Sequence, residues 1–411
     1  MASQITSFPK DKIRILLLED INRSAVTAFR KAGYKNVERL PRASSGEELR
    51  QLISKAHVIG VRSKTQLTSE VLNQADKLLA VGCFCIGTNQ VDLKEASRLG
   101  IPVFNSPYSN TRSVAELVLA EAIMLMRRVP ERHAAAREGR WLKDAKGSNE
   151  VRGKTLGIVG YGHIGSQVSV LAESLGFQVI FHDVEPRLPL GNAQSARSLK
   201  DLLERSDVVT LHVPGGSGTQ NLIGSKELDQ MKKGAALINL SRGTVVDIEA
   251  LCQSLKSRKL RGAAVDVFPL EPKSRKDEFE SALREFDNVI LTPHVGGSTQ
   301  EAQQNIGEDV AGKLIAFLDT GRTTGSHSVP ALRLPRQEGT HRILHIHENR
   351  PGVLGAINAS LSDASVNIMG QYLKTNEQIG YVVLDVHSRT SKKALSALKD
   401  VPGTIRARML Y

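Results

Sequence analysis

The chain is 411 residues long and carries 55 Lys and Arg against 43 Asp and Glu, a formal charge of +12. Hydrophobic residues make up 40% and charged residues 24%, ordinary for a folded globular protein, so wholesale disorder and a collagen-like repeat are excluded. Three cysteines cannot staple this length into a disulfide framework, and the odd count fits a reducing compartment.

Ile13–Leu18 is the first short apolar run, of strand type and too short for a signal sequence or a membrane span. No later run reaches membrane length, and the terminus Arg408-Met409-Leu410-Tyr411 matches no targeting signal, so a cytoplasmic chain with no membrane partner is expected. Ser24–Gly33 reads as a helix stopping at Gly33. His57–Val61, Leu78–Val81 and Ile101–Phe104 are further strand-type runs, separated by helical patterns at Thr68–Lys77 and Asp92–Leu99. This alternation predicts a parallel α/β sheet. Asn110–Arg128 is apolar round most of its circumference, through Val114, Leu117, Val118, Leu119, Ile123, Met124, Leu125 and Met126. Such a helix must be buried on several sides, in a domain core or across a subunit interface.

A second β/α run extends from Val151 to about Pro293, with strands at Leu156–Val159, Val179–Phe181, Val208–Val213, Ala235–Ile238, Ala263–Val267 and Val289–Leu291. Six strands joined by helices suit a doubly wound sheet. Its first strand runs directly into Gly160-Tyr161-Gly162-His163-Ile164-Gly165, and a helix begins there. In that context the glycines have separate tasks: Gly160 permits the tight turn, Gly162 lets a pyrophosphate approach the backbone, and Gly165 lets helix and strand pack closely. The helix N-terminus, with the amides of His163 and Ile164, supplies donors to phosphates. Asp183 ends the next strand 18 residues beyond Gly165, near the offset of an acid that binds ribose hydroxyls. Its charge favours NAD over NADP, with Arg187 close enough in sequence to temper that preference.

After a helical stretch to about Leu318, Gly321–Thr340 is rich in Gly, Ser, Thr and Pro and reads as a linker. From Arg342 the order becomes strand, helix, strand, strand, helix, strand: Ile343–His347, Val353–Leu361, Asn367–Leu373, Tyr381–Val386, Ala394–Lys399 and Ile405–Leu410. That is a ferredoxin-like βαββαβ module. Residues 321–411 hold twelve Lys and Arg against six acids, half of the whole excess. The bases are scattered, with Lys392-Lys393 the sole adjacent pair there, and aromatic residues are 4% of the chain, so a nucleic-acid partner is not expected.

Three segments fall at the C-terminal ends of predicted strands, where ligands bind in such sheets. They are Asn239-Leu240-Ser241-Arg242-Gly243, Asp266-Val267-Phe268-Pro269-Leu270-Glu271-Pro272 and Thr292-Pro293-His294-Val295-Gly296-Gly297. Hydride transfer from a 2-hydroxy acid needs a base for the hydroxyl proton, and His titrates in the right range. A carboxylate on the other ring nitrogen fixes the tautomer, and a planar Arg grips a substrate carboxylate with two parallel bonds. Taken singly, Arg242 could pair with a surface acid, Glu271 could be solvated and His294 could be an ordinary imidazole. At three successive strand ends together they read as a catalytic set.

These motifs, with Ser241–Asp247 and Gly82-Cys83-Phe84-Cys85-Ile86-Gly87-Thr88-Asn89-Gln90-Val91-Asp92, resemble the D-isomer-specific 2-hydroxyacid dehydrogenases, over about Asp11 to Tyr411. The resemblance implies a Rossmann-type NAD domain (109–296) inserted in a flavodoxin-like substrate domain (1–108 and 297–330), with a C-terminal βαββαβ module (339–411). It implies Arg242, Glu271 and His294 as catalytic residues and NAD contacts that include Leu240, Asp266, Gly296 and Gly297. It also implies reversible oxidation of 3-phosphoglycerate to 3-phosphohydroxypyruvate, the committed step of serine synthesis, with Arg62, Ser63 and Lys64 holding the phosphate. Lys64 stands where relatives carry Arg; it keeps the charge and loses the fork geometry. The tail module resembles an ACT domain, a family that binds amino-acid effectors. That resemblance implies L-serine as a feedback inhibitor at His347, Asn349 and Asn367, between modules of two subunits, and a homotetramer. The stretch His387–Lys393 is shorter and more basic than in relatives. His345 and His347 share a strand face, but no further ligands have spacing for a metal. Cys83, Cys85 and Cys252 are expected to be buried structural thiols. Alternative members of the class are a glyoxylate or hydroxypyruvate reductase, an enzyme also reducing 2-oxoglutarate, or a non-enzymatic NAD(H)-sensing scaffold.

Overall fold

A computed structural model describes residues 9–272, 277–335 and 337–410; Tyr411, the last residue of the terminal motif, lies outside them. The chain divides into two compact units, Met1–Ser109 with Gln303–Tyr411, and Asn110–Ala302.

The first unit begins with β1 (Ile15–Leu17), β2 (Val37–Arg39), β3 (Val58–Val61), β4 (Ala80–Cys83) and β5 (Val103–Asn105). They form a parallel sheet in the order β2-β1-β3-β4-β5, the flavodoxin-like winding. β1, β3, β4 and β5 are buried throughout, which is why they read as unbroken apolar runs. β2 is a half-buried Val-Glu-Arg edge strand and carries no such pattern. The helix expected over Thr68–Lys77 is a single turn, Ser69–Leu72. The Asn73 side chain folds back onto the Ser69 carbonyl and also binds Glu95, turning the chain away.

In the second unit β6 (Thr155–Val159), β7 (Gln178–His182), β8 (Gln194–Ser195), β9 (Val208–Leu211), β10 (Ala235–Asn239), β11 (Leu260–Val265) and β12 (Val289–Leu291) form one parallel sheet. The order is β12-β11-β10-β9-β6-β7-β8, so the winding reverses between β6 and β9, directly beside the Gly160–Gly165 loop. The seventh strand, β8, is two exposed residues with no apolar pattern to announce it. Helix Thr111–Met126 belongs to this unit's core: Val114, Val118, Ala122 and Leu125 pack with Leu156, Ile158 and Val168. Leu117, Ile123 and Met124 remain half-buried.

The rest of the first unit follows helix Gln300–Thr320. From Ile306 onward that helix contributes Val310, Leu314 and Phe317 to a core shared with Ile15, Phe29 and Phe104. Among its described residues the expected linker has no helix or strand before Thr340, yet it is packed. Thr323, Ser328, Val329, Leu332 and Leu334 are buried, Ser328 Oγ bridges the Val103 amide and the Ile101 carbonyl, and the His327 amide donates to Val103 O. It borders β5 and so covers an otherwise open sheet edge.

The tail module comprises β13 (Thr340–Glu348), β14 (Ile368–Thr375), β15 (Ile379–His387) and β16 (Thr404–Leu410), antiparallel in the order β14-β15-β13-β16. Helices Val353–Asp363 and Ser391–Lys399 bury against one face. The other face joins the first core through Leu344, Ile346, Ile379 and Tyr381. Arg342 and Asp385, opposite each other on β13 and β15, form a fully buried two-pronged ion pair at 2.8 Å. The same guanidinium donates to Thr320 O, Leu334 O and Pro335 O. Arg406 donates to Leu78 O and Arg408 to Leu318 O, and burial lowers both pKa values. Part of the tail's positive charge is therefore internal, tying the module to the end of helix Gln300–Thr320, to the segment after it and to the turn before β4.

Candidate active site

β10, β11 and β12 lie side by side and parallel, so their C-terminal ends deliver Arg242, Asp266, Glu271 and His294 to one edge of the sheet. Asn239, buried at the end of β10, shapes the first turn. Its Oδ1 accepts from the Ser241 amide and hydroxyl, and its Nδ2 donates to Arg242 O. Gly243 passes so close to the next segment that a Cβ there would sit 2.0 Å from the Phe268 carbonyl carbon. That approach stacks the Arg242 turn on the loop carrying Glu271.

His294 Nδ1 lies 3.0 and 2.9 Å from the two Glu271 oxygens. The Glu271 hydrogen bond raises the His294 pKa; burial and Arg242 oppose it, while the charges of Glu271 and Asp266 assist. For Glu271, burial pushes upward, but His294, the Phe268 amide and Arg242 outweigh it and leave the pKa lowered. Ion pair and hydrogen bond thus favour carboxylate with imidazolium. Arg242 donates from Nη1 to Ser241 O.

Asp266 is 1% exposed and holds the His294 loop. Its Oδ1 accepts from Thr292 Oγ1 (2.6 Å) and Val295 N (2.8 Å), its Oδ2 from Gly296 N (2.8 Å), and its carbonyl from His294 N (2.8 Å). Three side-chain bonds to one short loop make Asp266 its anchor. Gly297, next in the loop, lies against Asn110, and Leu240 is buried on β10's extension.

In the glycine loop, Gly160 has φ +91°, and a Cβ there would fall 2.4 Å from His212 O. A Cβ on Gly165 would fall 2.2 Å from Gly160 O. Around Gly162 nothing lies within 4 Å of the Cβ position, so a ligand has room against the backbone. His163 and Ile164 open helix His163–Ser174, whose first amides lack intrahelical acceptors. Asp183 accepts from the amides of Tyr161 (2.7 Å) and Glu185 (2.9 Å), with Arg187 at 3.7 Å. This places the carboxylate beside the glycine loop. The open backbone, the helix start and the fixed acid together fit a dinucleotide.

The first unit carries the remaining candidates. Arg62, half-buried, and Ser63 and Lys64, exposed, follow β3. In the tail module His347 is 3% exposed, with its ring against Gly380 and stacked on His345 at 5.4 Å. Burial lowers both histidines, His345 to about 4. Asn349 and Asn367 are exposed, and Asn349 Nδ2 donates to Asn376 O. Among the described residues no hydrogen bond joins any two of His347, Asn349 and Asn367, and no group of three His, Cys, Asp or Glu could hold a metal ion. Of the three thiols only Cys83 is buried; Cys85 and Cys252 are half-buried, a correction to the expectation.

Sequence reasoning missed Asn239, Glu121 and Glu19. Glu121 is fully buried on helix Thr111–Met126, and burial with the nearby Asp266 charge pushes its pKa up to about 8. An acid flanked by apolar residues in the second half of that helix was the available signal. Asp247, inside the Ser241–Asp247 motif, caps helix Ile248–Lys256 through the Ala250 amide, which is a structural task.

Residues 119–296 match the model of the D-isomer specific 2-hydroxyacid dehydrogenase NAD binding domain, and residues 343–406 that of the AHAS small subunit-like ACT domain. The D-3-phosphoglycerate dehydrogenase of Haemophilus influenzae is 56% identical over 98% of this chain and 99% of its own length. That of Escherichia coli is 57% identical over 98% and 99%, and that of Dictyostelium discoideum 48% identical over 99% of each. Among solved structures, D-lactate dehydrogenase of Aquifex aeolicus, complexed with NAD and lactic acid, is 27% identical over 77% of this chain and all of its own, with a TM-score of 0.67. No described helix is long and apolar enough to cross a membrane.

Proposed function

The chain belongs to the D-isomer-specific 2-hydroxyacid dehydrogenase family, and from that premise we propose that it oxidises 3-phosphoglycerate to 3-phosphohydroxypyruvate, reversibly and with NAD, at the head of serine synthesis. The observation that carries the reading is the Glu271–His294 pair beside Arg242 at adjoining strand ends of an NAD-type sheet.

NAD, when bound, supplies the acceptor for the hydride leaving C2. His294 Nε2 takes the C2 hydroxyl proton, since its Nδ1 is held by Glu271 and points away. Glu271 stabilises the imidazolium that results. In reduction the same proton returns to the carbonyl oxygen. Arg242 holds the substrate carboxylate and polarises the carbonyl. Arg62, Ser63 and Lys64 hold the phosphate. His163, Ile164 and the glycines take the pyrophosphate, Asp183 the ribose, and Leu240, Asp266, Gly296 and Gly297 surround the nicotinamide end. We assign substrate binding to 1–108 with 297–330, NAD binding to 109–296 and regulation to 339–411. L-serine is the effector at His347, Asn349 and Asn367, in a cytoplasmic homotetramer.

NADH oxidation with 3-phosphohydroxypyruvate, with and without millimolar serine, tests this, alongside hydroxypyruvate, glyoxylate and 2-oxoglutarate. The expected result is a preference for the phosphorylated substrate and slowing by serine that Asn349→Ala escapes. Turnover confined to unphosphorylated acids rejects the substrate; indifference to serine rejects the effector alone. Light scattering reads the tetramer directly.

A further inference from the structure

Three backbone N–H groups of the Arg62–Thr65 turn converge on one carboxylate. Glu19 Oε1 accepts from Arg62 N (3.1 Å) and Thr65 N (2.8 Å), and Oε2 from Lys64 N (2.9 Å). Glu19 is 8% exposed and lies two residues beyond β1, where it and Asp20 both take left-handed backbone, φ 58° and 57°. Non-glycine residues adopt that conformation at a cost, and two in succession persist only where surroundings enforce them. Here the Glu19 and Asp20 amides donate to Arg42 O and Leu40 O, which holds the kink. On the far side of the turn, Gln90 Nε2 donates to Arg62 O at 2.5 Å.

A turn with several amides pointing inward is the shape that captures anions. In this chain the captured anion is the protein's own. The amides of Arg62, Lys64 and Thr65 are spent on Glu19, so recognition of an external phosphate falls to the Arg62 and Lys64 side chains and to Ser63.

We propose that Glu19 is the positioning residue for phosphate recognition: it fixes the Arg62–Thr65 turn, and through it the preference for phosphorylated over unphosphorylated substrate. The proposal rests on reading Arg62, Ser63 and Lys64 as the phosphate site.

Glu19→Gln keeps the size but sets an NH2 donor against a backbone N–H; Glu19→Asp keeps the charge one methylene short. Loss of one charge-assisted bond predicts that Glu19→Gln raises KM for 3-phosphoglycerate about tenfold or more, with kcat within about threefold and KM for NAD unmoved. The ratio of kcat/KM for 3-phosphohydroxypyruvate over hydroxypyruvate falls by a similar factor, and Glu19→Asp lies between. Arg62→Ala and the double variant run alongside. Because part of the Glu19 effect runs through Arg62 and the rest through Lys64 and Ser63, the double variant loses less than the two single losses combined. An unchanged KM in Glu19→Gln, with a raised one in Arg62→Ala, overturns the positioning role and leaves the phosphate site standing. An unchanged KM in Arg62→Ala overturns both, and an additive double variant overturns the coupling. Where Glu19→Gln fails to fold, Glu19→Asp with a parental KM rejects the proposal.

Discussion

Glu271 decides where His294 titrates. Its hydrogen bond to Nδ1 favours the imidazolium and raises the His294 pKa above its ordinary 6.5. Oxidation needs the neutral ring, so kcat/KM for 3-phosphoglycerate rises with pH through that raised value. Reduction needs the charged ring and falls through the same value. Glu271→Gln removes the charge, so both limbs move to lower pH and kcat drops by about 10–100-fold; pH–rate profiles in the two directions check this, and limbs that stay in place assign the titration to another group. At this scale Arg242, Glu271 and His294 were legible because each follows a short apolar strand. Asn239 and Glu19 were not, because their work is to hydrogen-bond backbone that is distant or turning, and no spacing announces it.

The glycine loop shows how one motif combines two kinds of constraint. Gly160 is held by the fold, through its φ of +91° and the His212 carbonyl, whereas Gly162 meets nothing. Gly160→Ala is therefore expected to lower the thermal unfolding midpoint, a cost of about 1–3 kcal/mol or more. Gly162→Ala leaves the midpoint in place and raises KM for NAD about tenfold or more, because the added methyl occupies the ligand's space. Equal loss of stability in both variants rejects the division. Strands buried on both faces were readable as elements, since burial leaves them uniformly apolar. β2 and β8 were hidden because edge strands that are only half-buried or exposed need no apolar pattern, and the packed segment after Gly321 was hidden because its contacts follow no period.

Across the whole molecule, the +12 charge resolves into separate uses. Arg342, Arg406 and Arg408 turn inward and fasten the tail module to the end of helix Gln300–Thr320 and to the Leu78 carbonyl just before β4, within the same unit. Arg342→Met strands Asp385 without its ion-pair partner in a fully buried site, an expected loss of about 3–5 kcal/mol in chemical unfolding, while the double change Arg342→Met with Asp385→Leu costs far less. Equal losses from single and double variants would falsify that account.

The division into units also imposes an order on the molecule's making. Roughly 190 residues separate Ser109 from Gln303, so a ribosome adding about 5–20 residues each second leaves about 10–40 s between β5 and the helix that covers it. Through that interval Ile15, Leu17, Phe29 and Phe104, each fully buried in the finished chain, have no partners from Val310, Leu314 and Phe317. The inserted unit owns all of its strands and can close while the older segment waits. The first strand synthesised is thus among the last to be sheltered, a demand on nascent-chain chaperones that domains laid end to end would not make.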